Sequence, residues 1–300
     1  MADVALNAEL ASAARSESRR YLWSRAGVYG FLLIFALVYL LPLLVVVANS
    51  FRSLPEIMHN GLIAAPRSLS LSAWPNAWAH YCVSGACGGI QRNFYNSLLM
   101  TIPATILSTL LGALNGYVLS KWRFRGSDAL FALIALGVFM PGQIALLPWA
   151  FILGQLHLSN TIYGLILVHV AQGLSFTTLF CRNYYVNIPD DLIKAARIDG
   201  AGFWRIFFRI VLPLSPPILI VTVIWQFTGI WNEYLFGVVF TSGSQQPITA
   251  ALVSLSTSQM NARAYDVASA AVLIGALPPL LIYFFGGRYF VRGLTQGAIK

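Results

Sequence analysis

Gln226, Trp231, Asn232 and Glu233 stand in a run that is otherwise apolar, and Gln143 and Gln172 stand in two earlier runs of the same kind. Polar heads at such positions are costly unless they face protein or water. Indole rings beside amides and a carboxylate suit one chemistry well. The ring face meets the C–H groups of a sugar, and the forked donors and acceptors meet its hydroxyls. The same residues read equally well as braces, with Asn232 and Glu233 capping helices at a membrane surface. Cys82 and Cys87, five apart in the sequence, are too few for a structural zinc site and can close a small loop in an oxidising compartment. Cys181 lies elsewhere in the chain and is expected to stay reduced.

The chemistry that is missing narrows the function. A phosphate loop of the G-x-x-x-x-G-K-[ST] type needs Gly-Lys, and Lys121, Lys194 and Lys300 are not preceded by glycine. There is no H-E-x-x-H, so neither nucleotide hydrolysis nor zinc hydrolysis is expected, and no cofactor or metal is implied.

The elements that position these residues follow from composition. The 300 residues are 58% hydrophobic and 10% charged, against about a quarter charged in soluble proteins. Apolar runs near 26–50, 93–119, 128–153, 161–185, 208–239 and 266–289 each reach the length of about 20 residues that spans a bilayer. The expected fold is therefore all-α, a polytopic membrane protein with six transmembrane helices. The net charge of +9 is a topology signal rather than a nucleic-acid footprint, because its carriers are segregated. Arg15, Arg19, Arg20, Arg25, Lys121, Arg123, Arg125, Arg182, Lys194, Arg197, Arg205, Arg209, Arg288, Arg292 and Lys300 fall on one side; Arg52, Arg67, Arg92 and Arg263 fall on the other. The positive-inside rule then puts both termini in the cytoplasm.

The organisation expected is a cytoplasmic tail over 1–25, a first span over 26–50, an outside segment over 51–92, a five-span core over 93–290 and a tail over 291–300. The first span is too long for a signal peptide and is expected to remain as an anchor. Trp74, Trp78 and Tyr81 suit an interfacial belt or a small folded cap. Ser108, Gly112 and Gly116 clear one face of the second span for a neighbouring helix. Met140-Pro141-Gly142-Gln143 predicts a break in the third span, and His169 in the fourth reads as a packing residue. Residues 240–265 read as a second outside loop, small and polar enough to reach into a partner.

Between the fourth and fifth spans runs a polar, basic handle, Asn187 to Pro217. Asp190 and Asp191 follow Pro189 and favour a helix start there, and Gly200 and Gly202 supply its stop after Asp199. A second, interfacial helix follows from Phe203, and Pro213, Pro216 and Pro217 turn it into the next span. Ala195, Ala196, Gly200 and Ala201 leave the first handle helix with little bulk, a ridge that another protein could approach closely.

Ala195, Ala196, Gly200, Ile210, Leu212 and Pro213 fall at the spacing of the EAA loop of ATP-binding-cassette importer permeases: E-A-A, three residues, G, nine residues, I, one residue, L-P. With Ile188-Pro189 before and Trp231-Asn232-Glu233 after, residues 90–295 resemble the carbohydrate, maltose-type branch. Lys194 replaces the first Glu of the motif, so the role of that carboxylate does not transfer. The resemblance implies an importer-type permease core with a cytoplasmic coupling helix in the loop 187–213, set in a bacterial inner membrane. The partners implied are a second permease subunit, an ATPase dimer, an extracytoplasmic solute-binding protein and membrane lipid. The outer Trp-rich segment with its cysteine pair, Asn115-Gly116-Tyr117 and Lys121-Trp122-Arg123-Phe124-Arg125-Gly126 resemble the glucose/mannose-like group, with a disaccharide, a polyol or a glycerol-phosphate as the alternative substrates. The competing class is a self-contained secondary transporter or channel, for which Glu233 is the one acidic side chain well inside a span.

Overall fold

The computed structural model describes the backbone of residues 2–83, 86–257 and 264–296, and side chains over 25–82, 87–255 and 264–287. The side chains of Arg15, Arg19, Arg20, Arg263, Arg288, Arg292 and Lys300 lie outside the described residues. Among the described residues the regular structure is helical apart from one two-stranded hairpin, β1 Cys82–Val83 against β2 Ala86–Cys87. Among the described residues, four helices are long and apolar enough to cross a membrane: Arg25–Ser50, Gln91–Lys121, Ile162–Val186 and Tyr265–Gly287. Two bent pairs, Ser127–Phe139 with Gly142–Gln155 (103°) and Phe203–Val211 with Pro216–Asn232 (87°), bring the number to six when each is one span.

The first helix, α1 (Ala2–Ser50), begins well before the expected span, so the polar stretch over 1–25 is helical backbone from Ala2 onward. Its apolar residues 28–44 are almost all exposed, and it leans chiefly on the last helix, α13 (Tyr265–Gln296). Beyond it comes a folded cap of α2 (Leu54–Asn60), the short α3 (Ala73–Pro75) and the hairpin. Arg52 is buried there: its guanidinium donates to Asn49 Oδ1 (2.9 Å), Gly61 O (3.0 Å) and Glu56 Oε1 (3.1 Å). The Arg67 backbone N–H and the Ser68 hydroxyl also donate to Glu56, which holds its carboxyl down at about 2. Charge on this knot therefore stabilises the cap above the ordinary carboxylate range and is lost only as pH falls through about 2. Ala73, Ala77 and Ile90 carry the cap onto Trp231, Ile248 and Ala251 of the core.

Cys82 and Cys87 are paired directly across the hairpin and their sulfurs are bonded. In the chain-entropy account, closing so short a loop stabilises it by about 2 kcal/mol. Alkylation of the purified protein without reductant is expected to leave both thiols unlabelled in mass spectra; labelling of both would mean that the mature loop is open.

The core is organised on α4 (Gln91–Lys121) and α7 (Ile162–Val186), which pack along most of their length. The small face expected on the second span makes this possible. A Cβ at Gly112 would lie 2.1 Å from Thr177 Oγ1, and one at Gly116 would lie 2.7 Å from the Arg182 backbone nitrogen. Thr177 fills the seam, donating to Ser108 O (2.9 Å) and Gly173 O (2.9 Å). The break at Met140 to Gln143 separates α5 (Ser127–Phe139) from α6 (Leu146–Gln155), with a tight turn over Gly142–Ala145 between them. His169 lies buried on the Phe236 ring (centroids 5.8 Å), and its Nε2 has no hydrogen-bond partner.

Two expectations are corrected. The fifth span is not one helix over 208–239. Phe203–Val211 turns through 87° into α10 (Pro216–Asn232), and Glu233-Tyr234 separates α10 from α11 (Leu235–Phe240). Proline at the start of α10 cannot continue the incoming helix, because it lacks the N–H and clashes with the preceding turn. Residues 240–265 are not simply an outer loop. Ile248–Thr257 forms α12, whose Ile248, Ala251 and Leu255, spaced three and four apart, are buried against α13 and the cap. Residues 258–263 lie outside the described residues. The sixth span covers Tyr265–Gly287 as expected, its helix α13 continues to Gln296, and Gly286 admits Ile224, whose Cδ1 would meet a Cβ at 2.5 Å.

Candidate functional site

The handle is built from α8 (Asp190–Ile198) and a second helix beginning with α9 (Phe203–Ile206) and continuing as a wide turn to Val211. Pro189 is the cap residue rather than the first helical one, and Asp190 is the first. Asp190 accepts from Lys121 Nζ at 2.6 Å, and the same ammonium donates to Ile188 O. That hydrogen bond and charge hold the Asp190 carboxyl below the ordinary aspartate range. Arg197 lies over the Trp122 ring (4.1 Å) and donates to Lys121 O (3.2 Å). Tyr117, Trp122, Phe203 and Phe207 form an aromatic cluster with centroids 5.0 to 5.4 Å apart around Phe203 and Phe207. The end of α4 is thereby clamped to both handle helices.

What the handle leaves bare is as informative. Gly200 adopts φ +77°, its N–H donates to Arg197 O (3.0 Å), and the Ala201 N–H reaches back to Ala196 O (2.9 Å). This pair of bonds ends α8 in a left-handed turn that glycine adopts without steric cost. Ala195, Asp199 and Gly200 are exposed, and nothing lies within 4 Å of a Cβ at Gly200. Ala196 is half-buried and packs inward, so the ridge is narrower than expected. Asp199 makes no side-chain bond, so the turn is closed by backbone alone. Ile198 is 86% exposed, an apolar knob at the tip that spacing arguments passed over. Lys194 faces outward and pairs with Asp191 on its own helix at 3.1 Å. Pro213 is exposed at the corner into α10.

The sugar-type residues divide sharply. Gln226 is buried, its Nε2 donates to Ser108 Oγ at 3.0 Å, and it fills the space left by Gly173. Trp231 is 1% exposed, donates from Nε1 to Gly275 O (2.9 Å), and stacks on Phe227 (5.8 Å, 10°). Both hold the bundle together and line no open surface. Glu233 accepts from the Phe236 N–H (2.9 Å) and caps α11, the bracing role left open at the start. Asn232 and Gln143 are exposed and Gln172 half-exposed, none with a side-chain hydrogen bond among the described residues. Gln172 Oε1 lies beside the break of the third span, 3.8 Å from a Cβ at Gly142.

This geometry separates assembly from transport. Trp231→Ala removes a buried ring and is expected to destabilise the fold by about 3–5 kcal/mol. Asn232→Ala is expected to leave assembly intact and to lower uptake. Size-exclusion profiles and uptake measured on both variants check this; an intact Trp231→Ala protein would place the ring outside the core.

Residues 93–296 match the family described as the binding-protein-dependent transport system inner membrane component. The chain belongs to this family. The permease is 47% identical to a probable ABC transporter permease protein of Pyrococcus horikoshii, over 62% of this chain and 67% of that one. It is 32% identical to the diacetylchitobiose uptake system permease protein NgcG of Streptomyces coelicolor, over 97% and 93%. Its fold matches a chain in the crystal structure of a bacterial ABC transporter involved in the import of the acidic polysaccharide alginate. The TM-score is 0.75 at 21% identity, covering 88% of the permease and 95% of that chain. An importer permease fold, built almost wholly of helices, is thus established for this chain.

Proposed function

We propose that the permease forms half of the translocation path of an ATP-driven carbohydrate importer and is worked from outside itself. The observation that carries this is the handle, braced to α4 through Lys121, Trp122 and Arg197 yet bare at Ala195, Gly200 and Ile198. A rigid lever with an uncovered tip is what a separate ATPase needs in order to push on the membrane helices. The assembly then holds this chain, a second permease subunit, an ATPase dimer and an extracytoplasmic solute-binding protein. It sits in the bacterial inner membrane with both termini in the cytoplasm. Reporters after Lys300 and near Ser84 should read inside and outside respectively.

Carbohydrate as cargo is supported by the names of relatives such as NgcG and by the unpartnered amides Gln143, Gln172 and Asn232. Within that class we place a monosaccharide such as glucose or mannose, on the outer Trp-rich segment and the Asn115 to Gly126 run. The secondary-transporter reading loses its best acid, because the Glu233 carboxylate is spent capping α11. Purification from native membranes, with ATP-dependent uptake of D-glucose, D-mannose and N,N′-diacetylchitobiose in proteoliposomes, tests all of this. A co-purifying ATPase and hexose uptake are expected. Uptake by the chain alone without ATP would overturn the coupling, and uptake of the disaccharide only would move the substrate.

A further inference from the structure

Trp225 is the second tryptophan of α10, and it behaves unlike Trp231. It is 53% exposed, nine residues from Pro216 and seven from Asn232, and so lies near the middle of the span. Its ring stacks on Phe176 of α7 at 4.9 Å and 11°, and Phe176 stacks in turn on Phe180 at 4.2 Å. The indole N–H has no hydrogen-bond partner among the described residues. Tryptophan that faces lipid favours the membrane interfaces, so a bare indole at mid-span points elsewhere.

The neighbours on the same stripe say where. Trp225, Gly229 and Asn232 follow at four and then three residues, which puts them on one face of α10. All three are exposed, and nothing lies within 4 Å of a Cβ at Gly229. Because α7 and α10 run in opposite directions, Gln172, four residues before Phe176, is raised by about 6 Å to the level of Gly229. An amide facing hydrocarbon with no partner is costly, so the face carrying Asn232 and Gln172 meets water, ligand or protein rather than lipid chains.

We propose that Trp225, backed by Phe176, is a stacking platform for a pyranose ring halfway along the path. The sugar lies over the gap at Gly229, with the Gln172 and Asn232 amides bonding its hydroxyls. This rests on the carbohydrate reading above. It goes beyond that reading in assigning this subunit a sugar subsite of its own. The flat ring tolerates different hydroxyl patterns, and only two amides contribute direction, so the sugar is held briefly and passed on.

The test uses the full complex in proteoliposomes. Cys82 and Cys87 are bonded and Cys181 is buried, so a Trp225→Cys variant offers one reactive thiol on this chain, read on its own band after the subunits are separated. A charged, water-soluble methanethiosulfonate is expected to label it, and the imported sugar at saturation to slow labelling. Labelling only by a lipid-soluble maleimide, or only in the chain separated from its partner subunit, would place the face in lipid or in the subunit interface and overturn the platform. Trp225→Ala is expected to lower uptake about tenfold, the loss of one aromatic stack, while Trp225→Phe keeps most of it. Gly229→Leu should block uptake while the complex still assembles. If the wild type imports none of D-glucose, D-mannose and N,N′-diacetylchitobiose, the carbohydrate reading fails and the platform with it. Wild-type import that persists undiminished in Trp225→Ala removes the platform alone.

Discussion

Gly200→Trp is expected to leave the permease folded in the membrane while abolishing uptake and releasing the ATPase. The position combines two properties that rarely coincide. Its φ of +77° makes any side chain strained, and its would-be Cβ meets open space, so a large ring projects outward from the tip of the handle beside Ala195 and Ile198. The strain itself costs about 1–2 kcal/mol for an ordinary residue and less for asparagine, which visits this region more readily. Gly200→Asn is therefore the control. It carries the same backbone with little bulk and should retain most uptake. Co-purification of the ATPase, membrane abundance and uptake are read together on both variants. Normal transport with the ATPase still bound in Gly200→Trp would refute docking at this surface. Equal loss in both variants would mean that the turn, and not the exposed surface, is what matters. Lys194→Glu belongs in the same set. Because Lys194 pairs only with exposed Asp191, an interaction worth about 0–1 kcal/mol, restoring the motif's Glu is expected to be nearly silent.

Gly112→Leu is expected to do the opposite and destroy the fold. At Gly112 a Cβ would come within 2.1 Å of Thr177 Oγ1 and 2.8 Å of the Thr177 carbonyl carbon, which is backbone and cannot swing aside. Overpacking by even one or two methylenes costs about 1–3 kcal/mol. A leucine here must part α4 from α7 and break the Thr177 bonds to Ser108 and Gly173 as well. Because Ser108 also receives Gln226, the third helix of the seam loosens with the other two. Thermal unfolding in detergent and the size-exclusion profile report the outcome, with Gly112→Ala intermediate. Gly154→Ala, where nothing lies within 4 Å, serves as the neutral reference. A monodisperse Gly112→Leu protein with unchanged thermal stability would show that the seam opens easily.

Much of this was present in the chain as a string. Long apolar runs leave the backbone no option in hydrocarbon but to bond to itself, so helices and their approximate places follow from composition. Pro141-Gly142 announced a broken third span for the same local reason, a missing donor beside a residue without Cβ. The handle was legible because Asp190, Gly200 and the prolines act through their own backbone. Ser108, Gly112 and Gly116 announced a close approach because an absent side chain is itself a spatial fact.

What the string could not supply was direction. Gln226, Trp231 and Asn232 looked alike as polar or aromatic groups in one apolar helix, yet a turn of 100° per residue sends the first two into the bundle and the third onto its open face. Which face is open depends on where α4, α7 and α13 stand, and that is set by packing among residues more than a hundred positions apart, such as Ser108 and Gln226. Arg52 is the same lesson outside the core. A lone basic residue on the outer side read as a topology remnant, and only the fold folded Asn49, Glu56 and Gly61 around it. Trp225 stood out in the sequence only as an indole beside Gln226 halfway along the fifth span, and Ile198 only as an apolar residue of the handle; their exposure is what sets them apart. Spacing determined which helices exist; the contacts between them decided which of their side chains are left to meet a partner or a sugar.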